Sequence, residues 1–286
     1  MVISKEGSLE MQNLPLQPGY IYGPIRSRRL GWSLGLNISP TTYKLCSFNC
    51  VYCQYGWTSV CTPDTADRIK DLPSPDDFAR ALRDTLHQNR TIDNITFSGN
   101  GEATLHPQFE ELVDIAVGLK EDYLPGARLG ILSNSSAVAS ERVRSALAKL
   151  DFRIMKLDAG DVETFERINR PCRGADYAAI LGGLKSIEEV SLQTMFVDGE
   201  IQNAGDREVE QWMERVAEIR PVNIQIYSLH RPPAASSLVE VTGERLKEIA
   251  ARTEMATGIA VEVIVAASPY SERVHQPWQT KREHNS

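Results

Sequence analysis

The feature that most constrains the fold of this chain is a regular alternation of short apolar strands with amphipathic helices. Apolar runs predict strands at 34–39, 92–98, 128–133, 152–157, 190–197, 221–227 and 259–265. Helical stripes lie between them, the clearest of which carries Val209, Trp212 and Val216. Repeated strand–helix units place parallel strands in one sheet with helices outside. About six such units are fewer than the eight of a closed barrel. The sequence therefore predicts the α/β class and an open, three-quarter parallel (β/α)6-type barrel.

The composition is that of a globular protein, with 42% hydrophobic and 24% charged residues. No apolar run approaches the ~20 residues of a membrane span, and residues 1–18 contain no apolar signal-peptide core. We therefore expect a cytoplasmic protein with reduced thiols and no membrane partner. The net charge of −7 gives no general basic surface for nucleic acid. A local cluster of Arg26, Arg28 and Arg29 is either a ligand contact or a solvated turn.

We divide the chain into a polar leader at 1–19, a core domain at 20–268 and a polar C-terminal tail at 269–286. Within the core, the segment from residue 41 to about residue 71 has little periodicity. Loops of this length inside a domain are usually functional or disordered. This segment is therefore the first candidate for a functional site.

Three of the five cysteines, Cys46, Cys50 and Cys53, fall in this loop directly after the first predicted strand. Cysteine thiolates hold iron–sulfur clusters, and a cubane normally takes four of them. Zinc sites usually show two separated ligand pairs, which this loop does not contain. Cys61 is a candidate fourth ligand, whereas Cys172 lies far along the chain. With three protein ligands, a cluster would leave one iron open to a small molecule.

The second predicted strand ends in Ser-Gly-Asn-Gly-Glu, residues 98–102. Glycines allow the backbone to approach a ligand closely, and a carboxylate accepts hydrogen bonds from an ammonium group. Taken alone, the same residues are also typical of a plain turn. Ser133 and Asn134 close the third strand and have the same two interpretations, ligand contact or turn.

Other polar residues near strand ends are weaker candidates. Lys156 and Asp158 end the fourth strand and form either a ligand contact or an ion pair. For His106 a structural role at a helix start is favoured over proton transfer. For Cys172 an ordinary thiol is favoured over a redox role.

The spacing of the three cysteines is similar to that of a known superfamily. The Cys46-x-x-x-Cys50-x-x-Cys53 motif, with an aromatic Tyr52 before the last cysteine, resembles the radical S-adenosylmethionine (SAM) superfamily. The resemblance implies a [4Fe-4S] cluster bound by the three cysteines. It also implies that SAM chelates the remaining iron through its amino and carboxylate groups, with Tyr52 near the adenine.

The strand-end residues fit the same resemblance. Gly99, Gly101 and Glu102 resemble the superfamily's glycine–glycine–glutamate element, which binds the SAM amino group, although Asn100 stands between the glycines. Ser133 and Asn134 occupy the strand end at which the superfamily binds the ribose hydroxyls.

From about residue 20 to 232 the chain is similar to small proteins related to the wyosine-synthesis radical SAM enzymes. The segments that carry this similarity are 22–30, 49–54 and 98–107. Relatives that make the wyosine base on tRNA have a second cluster with further cysteine ligands. Beyond the three loop cysteines this chain contains only Cys61 and Cys172, too few to bind a second cluster. The resemblance therefore implies the SAM chemistry but not the substrate.

The resemblance implies an iron–sulfur oxidoreductase that reductively cleaves SAM and abstracts a hydrogen atom from a small molecule or a tRNA base. A flavodoxin or ferredoxin-type protein would supply the electron. Two alternatives stay open: an activase that installs a glycyl radical on a partner protein, and a non-catalytic metal-binding regulator.

Overall fold

The computed structural model describes residues 13–27, 31–88 and 91–264. The strands are β1 (Ile21–Ser27), β2 (Gly31–Leu36), β3 (Leu45–Cys46), β4 (Val60–Cys61), β5 (Asn94–Phe97), β6 (Arg128–Ser133), β7 (Phe152–Lys156), β8 (Ser191–Met195), β9 (Val197–Gly199), β10 (Asn223–Tyr227), β11 (Leu238–Glu240) and β12 (Val261–Ile264). The helices are α1 (Pro75–Gln88), α2 (Phe109–Tyr123), α3 (Glu141–Leu147), α4 (Val162–Asn169), α5 (Tyr177–Lys185), α6 (Asp206–Ile219) and α7 (Gly243–Thr257). Short 3-10 turns occur at Ala66–Asp71 and Ala103–Leu105.

The main sheet has the strand order β1-β2-β5-β6-β7-β8-β10-β12. All neighbours from β2 to β12 are parallel, and β1 pairs antiparallel with β2 at one edge. Within the described residues, β1 does not pair with β12, so the barrel is open. Each of β2, β5, β6, β7, β8 and β10 is followed by at least one helix. This arrangement confirms the predicted α/β class and the open parallel barrel.

The helices cover the outer face of the sheet. The apolar residues at helical spacing are the ones that are buried there. Helix α1 buries Phe78, Leu82 and Leu86, which lie four residues apart on one face. In α6 the buried Trp212 donates its indole N–H to the Leu157 carbonyl oxygen at 3.0 Å, which satisfies its polar atom inside the core. The strands of such a covered sheet are buried on both faces, as all four residues of β5 are.

Some elements differ from the sequence prediction. The strand predicted at 34–39 runs over 31–36, and the antiparallel β1 and the β9–β11 pair were not predicted. Helix α4 was also missed. It begins at Asp161, whose carboxylate accepts from the Thr164 backbone N–H at 3.0 Å. With eight residues it offers only about two turns, so its apolar pattern is short.

The ends of the chain are only partly described. In the predicted leader, residues 13–19 are hydrogen-bonded to the core, for example through the Leu14 N–H and the Gln54 carbonyl oxygen at 2.8 Å. The rest of the leader, the tail predicted at 269–286 and the pair Arg28 and Arg29 lie outside the described residues. Of the helices in the described ranges, none has the length and apolar character required to cross a membrane.

Candidate active site

The cysteine loop, Cys46–Cys53, follows the first parallel strand and is fixed by backbone hydrogen bonds on two sides. On one side, Cys46 is the register partner of Cys61 in the short β3–β4 ladder. On the other side, the last residues of α4 accept from the loop: the Asn49 N–H donates to the Asn169 carbonyl oxygen, and the Val51 N–H donates to the Ile168 carbonyl oxygen, both at 3.0 Å. The carboxyl end of the missed helix therefore positions the predicted cysteines.

The second half of the loop is shaped by tight turns. The Cys53 N–H donates to the Cys50 carbonyl oxygen at 3.1 Å, and the Gly56 N–H donates to the Cys53 carbonyl oxygen at 3.0 Å. Gly56 has a φ of 76°, a conformation that favours glycine. The buried ammonium of Lys44 donates to the Gly56 carbonyl oxygen at 2.8 Å and ties this turn to the start of the loop.

A cavity of about 480 Å³ opens beside the cysteine loop, at the carboxyl ends of the parallel strands. Ligands bind at this end of the strands in barrel and open-sheet α/β folds. The cavity is lined by all nine residues to which the resemblance assigns iron or SAM: Cys46, Cys50, Tyr52, Cys53, Gly99, Gly101, Glu102, Ser133 and Asn134. The structure therefore brings together residues from the first three predicted strand ends. How they bind cofactors stays a prediction.

Glu102 joins two strand ends. Its buried carboxylate accepts from the Thr104 N–H at 3.0 Å, the Ser133 hydroxyl at 2.8 Å and the Asn134 N–H at 2.6 Å. Burial raises the pKa of Glu102, and these hydrogen bonds oppose that rise. Oε2 accepts one of these hydrogen bonds, from Asn134, and a carboxylate oxygen has two acceptor positions. Glu102 can therefore accept a further hydrogen bond from a cationic group in the cavity.

The two glycines before Glu102 have a packing role. Gly99 has a φ of 141°, which side-chain-bearing residues rarely adopt. A Cβ on Gly101 would collide with the carbonyl oxygen of Leu45, the residue directly before the cysteine loop. The Gly101 backbone therefore lies against the entrance to the cysteine loop, and this contact requires glycine there whether or not a ligand is close.

Asp158 is the centre of a buried polar network. It accepts hydrogen bonds from the Tyr52 hydroxyl, from the Asn169 side-chain amide at 2.8 Å and from the Met195 N–H at 2.9 Å, and it pairs with the Lys156 ammonium at 3.1 Å. Lys156 and Asp158 thus form an ion pair, and Lys156 also lines the cavity. Because the Tyr52 hydroxyl is fixed by Asp158, its ring has a set position on the cavity wall.

The Lys156 ammonium lies between two aromatic rings, 4.9 Å from the Tyr52 centroid and 5.2 Å from the Tyr227 centroid. It also donates to the Tyr227 hydroxyl at 3.2 Å. Burial lowers the pKa of Lys156, but the combined interactions with Asp158 and Tyr227 outweigh it and the net pKa is raised. Lys156 therefore stays protonated and presents a fixed positive charge to the cavity.

The cysteine thiols are suited to a soft, positively charged centre. Burial, and then the neighbouring Cys50, raises the pKa of Cys46, while burial and Asp158 raise the pKa of Cys50 to about 11. Thiolates at these positions need a compensating cation, and iron in a cluster supplies one. Across residues 13–27, 31–88 and 91–264, no three His, Cys, Asp or Glu side chains converge on the position of a single ion. A cubane does not need such convergence because each cysteine binds a different iron, so the residues present fit the group.

Some sequence candidates lie away from this cavity. His106 is buried between the Pro73 carbonyl oxygen and the Gln108 N–H, both at 3.1 Å, and burial lowers its pKa to about 4. This is the structural role favoured from the sequence. Cys61 and Cys172 are free cysteines that do not line the cavity.

The functional residue that sequence reasoning missed is Asn169, at the end of α4. Its side-chain amide nitrogen lies 2.8 Å from Asp158 Oδ2 and 3.5 Å from Cys50 Sγ. The available signal was the Asp161-x-x-Thr164 start of a helix, followed by Phe165 and Ile168 on one face.

An open parallel barrel with a thiol-lined cavity at its strand ends defines the class of protein: an α/β barrel with a candidate cofactor site at the carboxyl ends of its strands. Residues 41–201 match the family described as the Radical SAM superfamily. The chain belongs to that superfamily, whose enzymes use a [4Fe-4S] cluster and SAM.

Curated relatives include UPF0026 proteins. One from Helicobacter pylori strain J99 is 33% identical over 180 residues, which cover 63% of this chain and 54% of the relative. Another, from Synechocystis sp. strain PCC 6803, is 32% identical over 235 residues, which cover 78% of this chain and 80% of the relative. The chain thus spans about half the length of the Helicobacter relative.

Solved radical SAM proteins share the fold. A radical SAM methyltransferase from Sphaerobacter thermophilus superposes with a TM-score of 0.58 at 17% identity, over 81% of this chain and 66% of that chain. A structure of TYW1 with a lysine-pyruvate adduct bound gives a TM-score of 0.52 at 14% identity, over 79% of this chain and 74% of that chain. The family match confirms the predicted superfamily, and the solved structures share its fold.

Proposed function

We propose that Cys46, Cys50 and Cys53 each bind one iron of a [4Fe-4S] cluster and that SAM chelates the fourth. The observation that carries this proposal is that the three cysteines and the Glu102 carboxylate line the same cavity. When bound, the cluster and SAM supply one-electron cleavage of SAM and abstraction of a substrate hydrogen atom.

The chain's own residues have positioning roles in this proposal. Glu102 accepts a hydrogen bond from the SAM ammonium group through Oε2. Tyr52, fixed by Asp158, borders the adenine. Ser133 and Asn134 remain the candidates for the ribose hydroxyls, although both side chains already have protein partners: the Ser133 hydroxyl donates to Glu102, and the Asn134 amide donates to the Ser47 hydroxyl at 3.0 Å.

For the substrate, we propose a small molecule or a tRNA base, with electrons supplied by a flavodoxin or ferredoxin-type partner. TYW1 has been solved with a lysine-pyruvate adduct bound. In this chain Lys156, one of two lysines that line the cavity, is kept protonated by Asp158 at 3.1 Å, whereas a lysine must be neutral to attack a carbonyl group. We therefore assign Lys156 the role of a charged contact and not that of a nucleophile.

The test is anaerobic reconstitution of the full chain with iron and sulfide, followed by dithionite and SAM. We expect four irons per chain and 5′-deoxyadenosine in the products. Cys50→Ala should lose both, whereas Cys61→Ser, a matched cysteine outside the cavity, should retain both. A wild-type chain that binds stoichiometric zinc in place of iron, or yields no 5′-deoxyadenosine, would refute the proposal.

A further inference from the structure

Two asparagine side chains contact two of the three cysteine sulfurs. The Asn134 amide nitrogen lies 3.4 Å from Cys46 Sγ, and the Asn169 amide nitrogen lies 3.5 Å from Cys50 Sγ. These distances are within the normal range for hydrogen bonds to sulfur, which is larger than oxygen. In the described part of the chain, no side-chain amide makes the same contact with Cys53.

The orientation of each amide group is fixed by its other partner. A carboxylate only accepts hydrogen bonds, so the Asn169 atom 2.8 Å from Asp158 Oδ2 must be the nitrogen. Asn134 is fixed from its other end, because its Oδ1 accepts from the Ser136 backbone N–H at 2.9 Å. Asn134 therefore directs an N–H at Cys46 Sγ. The N–H of Asn169 that is not bonded to Asp158 faces both Cys50 Sγ and the Tyr52 hydroxyl oxygen, which is 3.3 Å from the amide nitrogen.

The two donors come from different parts of the barrel. Asn134 follows the third parallel strand, β6, and Asn169 is the last residue of α4. Asn169 is buried, with 3% exposure, and Asn134 is half-buried. Because α4 also accepts two backbone hydrogen bonds from the cysteine loop, the Asn169 backbone is held next to Cys50.

Hydrogen bonds to cysteinyl sulfur are one of the features by which a protein sets the reduction potential of an iron–sulfur cluster. A cluster that gains an electron puts more negative charge on its sulfur ligands. An N–H dipole directed at sulfur stabilises that charge more in the reduced state than in the oxidised state. Each such donor therefore raises the reduction potential.

We infer that Asn134 and Asn169 are potential-setting residues of this protein. Their amide N–H groups make the cluster easier to reduce by the electron donor. This inference rests on the proposed function, since it requires that Cys46 and Cys50 bind the cluster.

The test is a redox titration of the reconstituted full chain without SAM, followed by electron paramagnetic resonance. Asn134→Leu and Asn169→Leu keep a branched side chain of similar size but remove the donor. We expect each variant to have a midpoint potential more negative than that of the wild type, and the double variant to be more negative than either. Asn49→Leu is the matched control: its side chain lies in the same loop, but its Oδ1 accepts from the Thr58 N–H. Its potential should equal that of the wild type.

A second readout is the iron–cysteine stretching frequencies in the resonance Raman spectrum, which should shift in both variants and not in the control. Wild-type potentials in cluster-loaded Asn134→Leu and Asn169→Leu would overturn the inference, as would an equal shift in the control. If the buried Asn169→Leu variant does not take up iron, the half-buried Asn134→Leu decides. A wild-type chain without a four-iron cluster would instead refute the proposed function, and the inference would fall with it.

Discussion

The substitution Asp158→Asn tests whether the buried network holds the cavity wall together. It keeps the size of the side chain and one acceptor oxygen for the Met195 N–H, but it removes the charge that pairs with Lys156 at 3.1 Å. The side chains of Asp158 and Lys156 are 1% and 16% exposed, so the lysine would be left almost buried without its counter-ion.

Breaking a buried ion pair from one side costs about 3–5 kcal/mol. We expect a value near the lower end, about 3 kcal/mol, because Lys156 keeps its hydrogen bond to the Tyr227 hydroxyl at 3.2 Å. In a chain of this size each kcal/mol lowers the melting temperature by about 2–4 °C, so the variant should melt roughly 6–12 °C below the wild type.

The assay is urea unfolding of the cofactor-free protein at pH 7 and at pH 11. The pKa of Lys156 is raised in the folded state, so the stabilisation by the pair is present below the unfolded lysine pKa of about 10.4 and is lost as pH rises through the folded value. The difference between wild type and variant should therefore be smaller at pH 11. The double variant Asp158→Asn with Lys156→Met removes both charges and should recover part of the loss. A single-variant cost below about 1 kcal/mol at pH 7, or no recovery in the double variant, would refute the reasoning.

Two further substitutions address the second strand end. Glu102→Gln removes the negative charge near the SAM ammonium group and should leave the iron content unchanged. SAM affinity should fall by a factor of about 10 to 150, which corresponds to the ~1.5–3 kcal/mol of a hydrogen bond to a charged group. Equal SAM affinities of variant and wild type in a calorimetric titration would contradict this. Gly101→Ala introduces a methyl group against the carbonyl before the cysteine loop, and we expect about 1–3 kcal/mol lower stability and reduced iron uptake. Gly118→Ala in α2, where a Cβ meets no atom within 4 Å, is its control and should be stabilised by about 0.5–1 kcal/mol. Equal unfolding midpoints for the two glycine variants would contradict the packing argument.

The parts of the site that the sequence predicts are those whose residues are close together in the chain. Cys46, Cys50 and Cys53 share one loop, and Gly99 to Glu102 form one strand end, so residue type and spacing identify both. The strands were also predictable, because parallel strands covered by helices are continuous apolar runs. These features depend on local pattern and little on tertiary context.

The parts that the sequence did not predict depend on contacts between distant segments. Asn169 meets Cys50 across 119 positions, and Tyr52 meets Asp158 across 106. No local sequence pattern predicts a contact between two residues so far apart in the chain. Helix α4 has only about two turns and so a short apolar pattern, and its position is set by docking against the cysteine loop. The edge strand β1 escaped prediction because Gly23 and Pro24 interrupt its pattern.

The hydrogen bonds that fix the cysteine loop also determine whether the protein stays folded when its cluster is lost. They connect the loop to α4, to β4 and, through the Cys172 N–H and the Ser47 carbonyl oxygen at 2.8 Å, to the segment after α4. All of them join protein to protein, so the entropy of ordering the loop is lost when the chain folds and not when metal arrives. A zinc finger, by contrast, folds only around its ion. A chain built in this way should survive oxidative destruction of its cluster as a folded protein, ready for repair by renewed delivery of iron and sulfide.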